Sequence, residues 1–135
     1  MLGKLLITVT LLVTLVGPVL ADWNESHVFN PQWPSHARFH EVAYLCSAVG
    51  FSVVGLWLLW RPSREPAIGV TVAALVPVVT WGSFYIAEIV PGSHFEDHAG
   101  HVPRLLGVPL NLLFGAVVPA LSLLGCVFYR VSQKP

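Results

Sequence analysis

The sequence predicts an all-α integral membrane protein, a four-helix transmembrane bundle with both termini cytoplasmic and two loops on the outer face. Three observations carry this expectation. Of 135 residues, 55% are hydrophobic and only 10% charged, whereas a soluble domain carries about a quarter charged residues. Four apolar stretches approach the roughly 20 residues that cross a hydrocarbon core. The basic residues are shared unequally between the two faces that those stretches define.

The first stretch runs from about Leu5 to Leu20 and follows Lys4. Its end, Val19-Leu20-Ala21 before Asp22, also has the form of a signal-peptide cleavage site. A retained helix is the favoured reading, because Pro18 and Leu20 bring the run close to spanning length. The second stretch covers about 42–60, the third 67–90 and the fourth 105–129, all within one domain, 1–135. The link from Arg61 to Pro66 is short enough to be a turn between antiparallel neighbours. Lys4, Arg61, Arg64, Arg130 and Lys134 then share one side, against Arg38 and Arg104 on the other. The positive-inside rule makes the first side cytoplasmic. Loops 21–41 and 91–104 therefore face outward, to the periplasm of a bacterial inner membrane or the lumen of a eukaryotic compartment.

Within the helices, Pro77, Pro109 and Pro119 each free a carbonyl one turn earlier. Gly69 with Ala73, and Ala116 with Ala120, have the four-residue spacing that lets helices approach closely. Trp23, Trp33, Trp57 and Trp60 fall where an interfacial aromatic belt belongs. Cys46 and Cys126 lie at opposite depths, which argues against a disulfide. The net charge is zero and no basic cluster occurs, so the electrostatic footprint of a nucleic-acid binder is missing. The expected partners are membrane lipids and a lipid-like small molecule.

All six histidines, His27, His36, His40, His94, His98 and His101, fall in the outer loops or at the helix ends that border them. So do six of the seven acidic residues, Asp22, Glu25, Glu41, Glu88, Glu96 and Asp97. A helix beginning near Ser35 stacks His36 over His40 at metal-ligand spacing. Ser93-His94-Phe95-Glu96 has the form of a capping box, and a short helix from there would align His94, His98 and His101. Imidazoles and carboxylates without thiolates suit zinc, copper or iron. The leading expectation is therefore an outer-face His/Glu site that binds a metal or exchanges protons with a lipid-like ligand. Against it stands the ordinary role of interfacial histidine, a hydrogen bond to backbone, headgroup or water.

Glu41 and Glu88 lie within about one turn of the apolar boundary, where an ionised carboxylate is costly unless paired. Trp81, Tyr85 and Glu88 share a face of the third helix, and Asn111 is a polar group inside the fourth. With His40 and Tyr44 they define a second expectation, a metal-free acid/base or hydrophobic-ligand pocket with Glu41, Glu88 and His40 as its catalytic groups. A third is a non-catalytic accessory or assembly subunit. The segment Asp22 to Pro34, dense in turn formers and aromatics, is expected to lie over the helix ends as a stiff lid, and Asn24-Glu25-Ser26 matches a glycosylation sequon.

The run Asp22 to Glu41, with its DWN, H-x-F-N-P, W-P and H-A-x-F-H elements, resembles the signature of a small four-helix membrane family of unassigned function. That resemblance implies the architecture and no reaction. Trp33, Glu41 and Pro77 also give a remote likeness of pattern to the four-helix sterol isomerase and sigma-2 receptor group. Such a likeness implies an acid/base or amine-binding pocket inside the bundle. His36-x-x-x-His40 resembles one histidine box of the membrane desaturases, but those enzymes need more boxes, on the cytoplasmic face.

Overall fold

The structure, a computed structural model, describes residues 1–96 and 102–133. Its helices are α1 (Leu2–Asp22), α2 (Ser35–Trp60), α3 (Pro66–Ala87) and α4 (Leu110–Val131). Each is long and apolar enough to cross a membrane. In lipid the backbone has no water to bond, so an apolar run of this length satisfies its N–H and C=O groups internally as helix. The helices form an antiparallel ring in chain order, with α1 against α2 and α4, α3 against the same two, and a diagonal contact between α1 and α3. One end of the bundle carries Met1, the α2–α3 turn and the end of α4, and the other carries the two long loops.

Helix boundaries follow local chemistry. α2 starts at Ser35, before its apolar stretch, with Pro34 as an extended N-cap residue (φ −62°, ψ 149°) that closes the turns of the first loop. Pro66 opens α3 at a position where its missing N–H costs nothing. Two expected bounds are corrected. The fourth helix begins at Leu110, not near Leu105, because Leu106 (φ 51°) and Gly107 (φ 82°) are both left-handed. They form a two-residue turn between β1 (Arg104–Leu105) and β2 (Val108–Pro109), whose antiparallel register pairs Arg104 with Pro109. The third helix ends at Ala87, short of Val90, since Pro91 disfavours helical geometry in the residue before it. Nor does Ser93 to Glu96 start a helix: it is irregular, and the Glu96 carboxylate accepts from Arg104 instead of capping.

Packing is closest at the end that carries the termini. A Cβ added at Gly125 would lie 2.8 Å from the Gly3 carbonyl, and one at Gly69 would lie 2.5 Å from the Leu58 carbonyl. These two glycines bring α4 onto α1 and α3 onto α2. Ala73 is fully buried, in keeping with the expected Gly69/Ala73 contact, whereas Ala116 and Ala120 face outward and join no helices. The main core cluster, including Ile7, Leu11, Leu59, Val70, Cys126 and Tyr129, fills this half. Lys4 reaches back to donate to the Leu59 carbonyl (2.8 Å) with its ammonium beside the Trp60 ring. Trp23, Trp57 and Trp60 are about half exposed, as a belt requires, and Arg61 stacks on Trp57. Both cysteines are free, Cys46 exposed and Cys126 buried.

Candidate functional site

At the loop end the helices part around a cavity of about 600 Å³. All four helices line it, through Gly17, Pro18 and Asp22 of α1, Glu41 and Tyr44 of α2, Trp81 and Phe84 of α3, and Asn111 and Phe114 of α4. Ser26 and His27 from the first loop, with Phe95, Val102 and Pro103 from the second, complete the wall.

Each wall is fixed by local bonding. Trp81 is only 6% exposed, and its indole N–H donates to Thr14 Oγ1 (2.9 Å), which crosses the bundle from α3 to α1. Thr14 in turn donates to the Thr10 carbonyl (2.7 Å). The Trp81 ring stacks on Phe114 (centroids 5.8 Å) and tilts against Phe84 (5.4 Å), so three aromatics form one apolar face. Gly17 faces this ring from α1, where an added Cβ would meet Trp81 at 3.6 Å, an ordinary contact.

The first loop lies over the helix ends as a tied strap. Asn24 Oδ1 accepts from the Ser26 backbone N–H and hydroxyl, the Val28 N–H donates to the Asp22 carbonyl, and Arg38 donates to the Asn30 carbonyl. Val28 is buried beneath it. This places His27 with Nε2 3.5 Å from the Asp22 carboxylate and Nδ1 2.8 Å from Ser26 Oγ. From the other loop, the Phe95 carbonyl accepts from Asn111 Nδ2 (2.8 Å), which closes that wall.

Two polar atoms on the wall have no partner among the described residues: Glu41 Oε1 and the Tyr44 hydroxyl are both buried and unbonded. A buried polar group left unsatisfied costs about 1–3 kcal/mol. Glu41 and Tyr44 are three residues apart on α2 and so share the face turned to the cavity. No lysine or arginine lines this wall among the described residues. The cavity therefore combines an aromatic body, one carboxylate oxygen and one hydroxyl without partners among the described residues, and an Asp–His pair at its rim.

Of the residues expected at a pocket, Glu41, Tyr44, Trp81 and Asn111 line this cavity. Tyr85 does not: its hydroxyl donates to the Leu112 carbonyl (2.7 Å) and its ring packs on Gly115. Glu88 faces a smaller cavity of about 180 Å³, where its carboxylate accepts from the Phe95 N–H (2.9 Å) and meets His94 at 3.4 Å. His40 is exposed on another face of α2, its Nε2 3.0 Å from that of His36. The described histidines thus stand in three places, His36 with His40, His27 on Asp22 and His94 on Glu88. No group of three or more potential metal ligands occurs among the described residues, and His98 and His101 lie outside them. Asp22, Ser26, Gly17 and the phenylalanines were missed in the sequence. The boundary argument that singled out Glu41 applies equally to Asp22 at the end of α1.

No curated protein and no solved structure matches the chain. A family profile matches residues 6–129, nearly the whole of it, and the chain belongs to that family of unknown function, DUF6640.

Proposed function

We propose that this membrane protein binds a hydrophobic small molecule with a polar head in the cavity at its loop end, and that Glu41 meets the head. The observation that carries the reading is the pair of buried atoms without a partner among the described residues, Glu41 Oε1 and the Tyr44 hydroxyl, on the wall of a cavity of about 600 Å³. Ligand sites are typically clefts of ~300–1,000 Å³ with apolar walls and a few convergent polar groups. A carboxylate within hydrogen-bond reach of a bound head is also placed to exchange a proton with it, as general acid/base chemistry requires. On this reading Tyr44 and Glu41 take the head, Trp81, Phe84 and Phe114 take the body, and the strap carrying His27 covers the mouth. The outward, periplasmic or lumenal, orientation of this end belongs to the same proposal and rests on the distribution of lysine and arginine.

A blocked cavity tests it. Gly17→Phe directs a ring into the space beside Trp81, since a Cβ there makes only ordinary contact at 3.6 Å. Native mass spectrometry of the detergent-purified chain with a panel of amphiphiles should show adducts on the wild type that the variant loses. Equal adducts on both proteins would place binding elsewhere and end the proposal.

A further inference from the structure

We propose that the β1–β2 hairpin is inserted in the lipid leaflet at the loop end of the bundle, with Leu106 at its tip. The insertion does not depend on what the cavity holds. Leu106 sits at φ 51° and is followed by Gly107 at φ 82°. A two-residue hairpin turn with both central residues left-handed selects Asn-Gly or Asp-Gly, since a larger side chain at positive φ strains the backbone. Leucine therefore gains nothing from the turn. It gains nothing from the fold either, because it is 97% exposed. The register pairs Leu105 with Val108 and Arg104 with Pro109, so each pair shares one face of the ribbon. Leu105 and Val108 are about half exposed, whereas Pro109 is buried. Arg104 is drawn to the Glu96 carboxylate and donates to the Gly107 carbonyl. The tip thus presents three apolar side chains and keeps its one cation paired.

Helix length fixes the depth of this tip. α3 and α4 have 22 residues each. That is about 33 Å at 1.5 Å per residue, against a hydrocarbon core of ~30 Å. β2 runs straight into α4 at Leu110, so the foot of the hairpin stands at the hydrocarbon boundary. The headgroup layer beyond is only about 5–7 Å thick, and strands of two residues extend about 7 Å. The tip cannot clear the headgroups even if the ribbon stands upright, and it reaches acyl chains where it leans outward. Exposed apolar surface already leads to this level: Val72, Leu75, Val79 and Ile86 form a stripe along α3, and Ile89 and Val90 carry it past the helix end. On a membrane-spanning helix such a stripe faces lipid, and the hairpin continues the lipid-facing surface beyond the helices. Val102 and Pro103 before β1, and Leu110 after β2, line the cavity, and the Leu110 N–H donates to the Pro103 carbonyl (2.9 Å). The inserted tip therefore pins that edge of the cavity to the leaflet.

The test places a single reporter thiol in the full chain, reconstituted in phosphatidylcholine vesicles on a Cys46→Ala/Cys126→Ala background. Leu106→Cys is compared with Val79→Cys and Gln32→Cys. Val79 is exposed in the middle of α3 and Gln32 on the first loop, so they supply the lipid and water limits. A nitroxide attached to each thiol is relaxed by oxygen, which concentrates in lipid, or by a water-soluble nickel chelate. The expected result is a shift of the oxygen-to-nickel ratio at position 106 from the Gln32 value toward the Val79 value, with oxygen the stronger relaxer. Nickel outweighing oxygen, as at Gln32, overturns the insertion. Protection from both reagents also overturns it and assigns the tip to a protein contact, such as a second copy of the chain. Because a nitroxide is itself apolar, the bare thiols are measured as well. A charged maleimide should modify the thiol at 106 more slowly than the one at 32, and equal rates overturn the proposal. Leu106 is almost free of contact with the rest of the chain, so its replacement should leave the melting temperature of the parent unchanged; a marked fall would show that the fold already holds the leucine and would also overturn the insertion.

Discussion

Replacing Glu41 with leucine should make the protein more stable and unable to hold its ligand. The carboxylate is buried at Oε1 without a partner among the described residues. An unsatisfied buried polar group costs about 1–3 kcal/mol, and more when charged. Because Glu41 as a whole is only half-buried, part of its charge reaches solvent, and the lower part of that range applies. Leucine, of similar length, removes the orphan and adds apolar contact with the cavity wall, so a gain of about 1–2 kcal/mol is expected. For a domain of this size that is a rise of several degrees in melting temperature, read by thermal unfolding in detergent. A saturating ligand should reverse the order. At a hundred times its dissociation constant a ligand stabilises its protein by ~2.7 kcal/mol, which the wild type gains and Glu41→Leu does not. A variant less stable than the wild type without ligand would mean that the carboxylate is already held by the fold, and the reasoning from an unpartnered oxygen would be refuted.

Gly125→Leu should cost at least ~1–3 kcal/mol by forcing α1 and α4 apart, because its Cβ would stand 2.8 Å from the Gly3 carbonyl, whereas Gly17→Ala should be nearly neutral; unfolding of the two variants side by side checks the contrast. Trp81→Phe removes the indole donor to Thr14 and should cost ~0.6 kcal/mol, at most ~1.7, a coupling that a double-mutant cycle with Thr14→Val would recover. Zinc titrated calorimetrically into tag-free protein should bind no more tightly than a two-imidazole site at His36 and His40, and should be insensitive to His27→Ala and His94→Ala; loss of binding in either would show that the separate histidine groups converge. Intact-mass analysis of the membrane-extracted protein should find α1 retained, since it supplies Ile7 and Leu11 to the core and Gly17 and Pro18 to the cavity; a mass corresponding to cleavage after Ala21 would contradict this.

The four helices were legible because an apolar run of spanning length has few alternatives in lipid. Their ends were less so, since hydropathy cannot see that Leu106 and Gly107 turn the chain or that Pro91 stops it. Glu41 was legible from its place at the apolar boundary, and Tyr44 from its spacing. His40 was expected at the pocket, and spacing alone does not exclude it, since Tyr44 falls between His40 and Glu41 around the helix; it is the tilt and rotation of α2 against its neighbours that turn Glu41 to the cavity and leave His40 exposed. The His36/His40 spacing was real, and the rings do meet, but on the outer surface of α2. The second-loop wall at Phe95, Val102 and Pro103 was not readable, because it depends on where an irregular segment crosses the helix ends. The Gly3–Gly125 contact was equally hidden, since neither residue announces which helix will be its neighbour.

The contrast between the two ends of the bundle bears on what the cavity is for. Helices in lipid gain little from burying apolar side chains, so they associate where small residues let backbones approach. Here those residues act at one end: Gly3 with Gly125, Gly69 on Leu58, and Gly55, where an added Cβ would stand 2.9 Å from Leu11. At the other end Trp81, Phe84 and Phe114 stand between α3, α4 and α1, and the indole bond to Thr14 fixes the spacing. Selection for stability alone would fill such a space with leucine and remove the carboxylate from its wall. A sequence that instead keeps Glu41 Oε1 and the Tyr44 hydroxyl without partners among the described residues, beside three stacked or tilted aromatics, breaks the packing rule in one place, and such local violations are expected at functional sites. The tight end supplies the rigidity that lets the open end stay open.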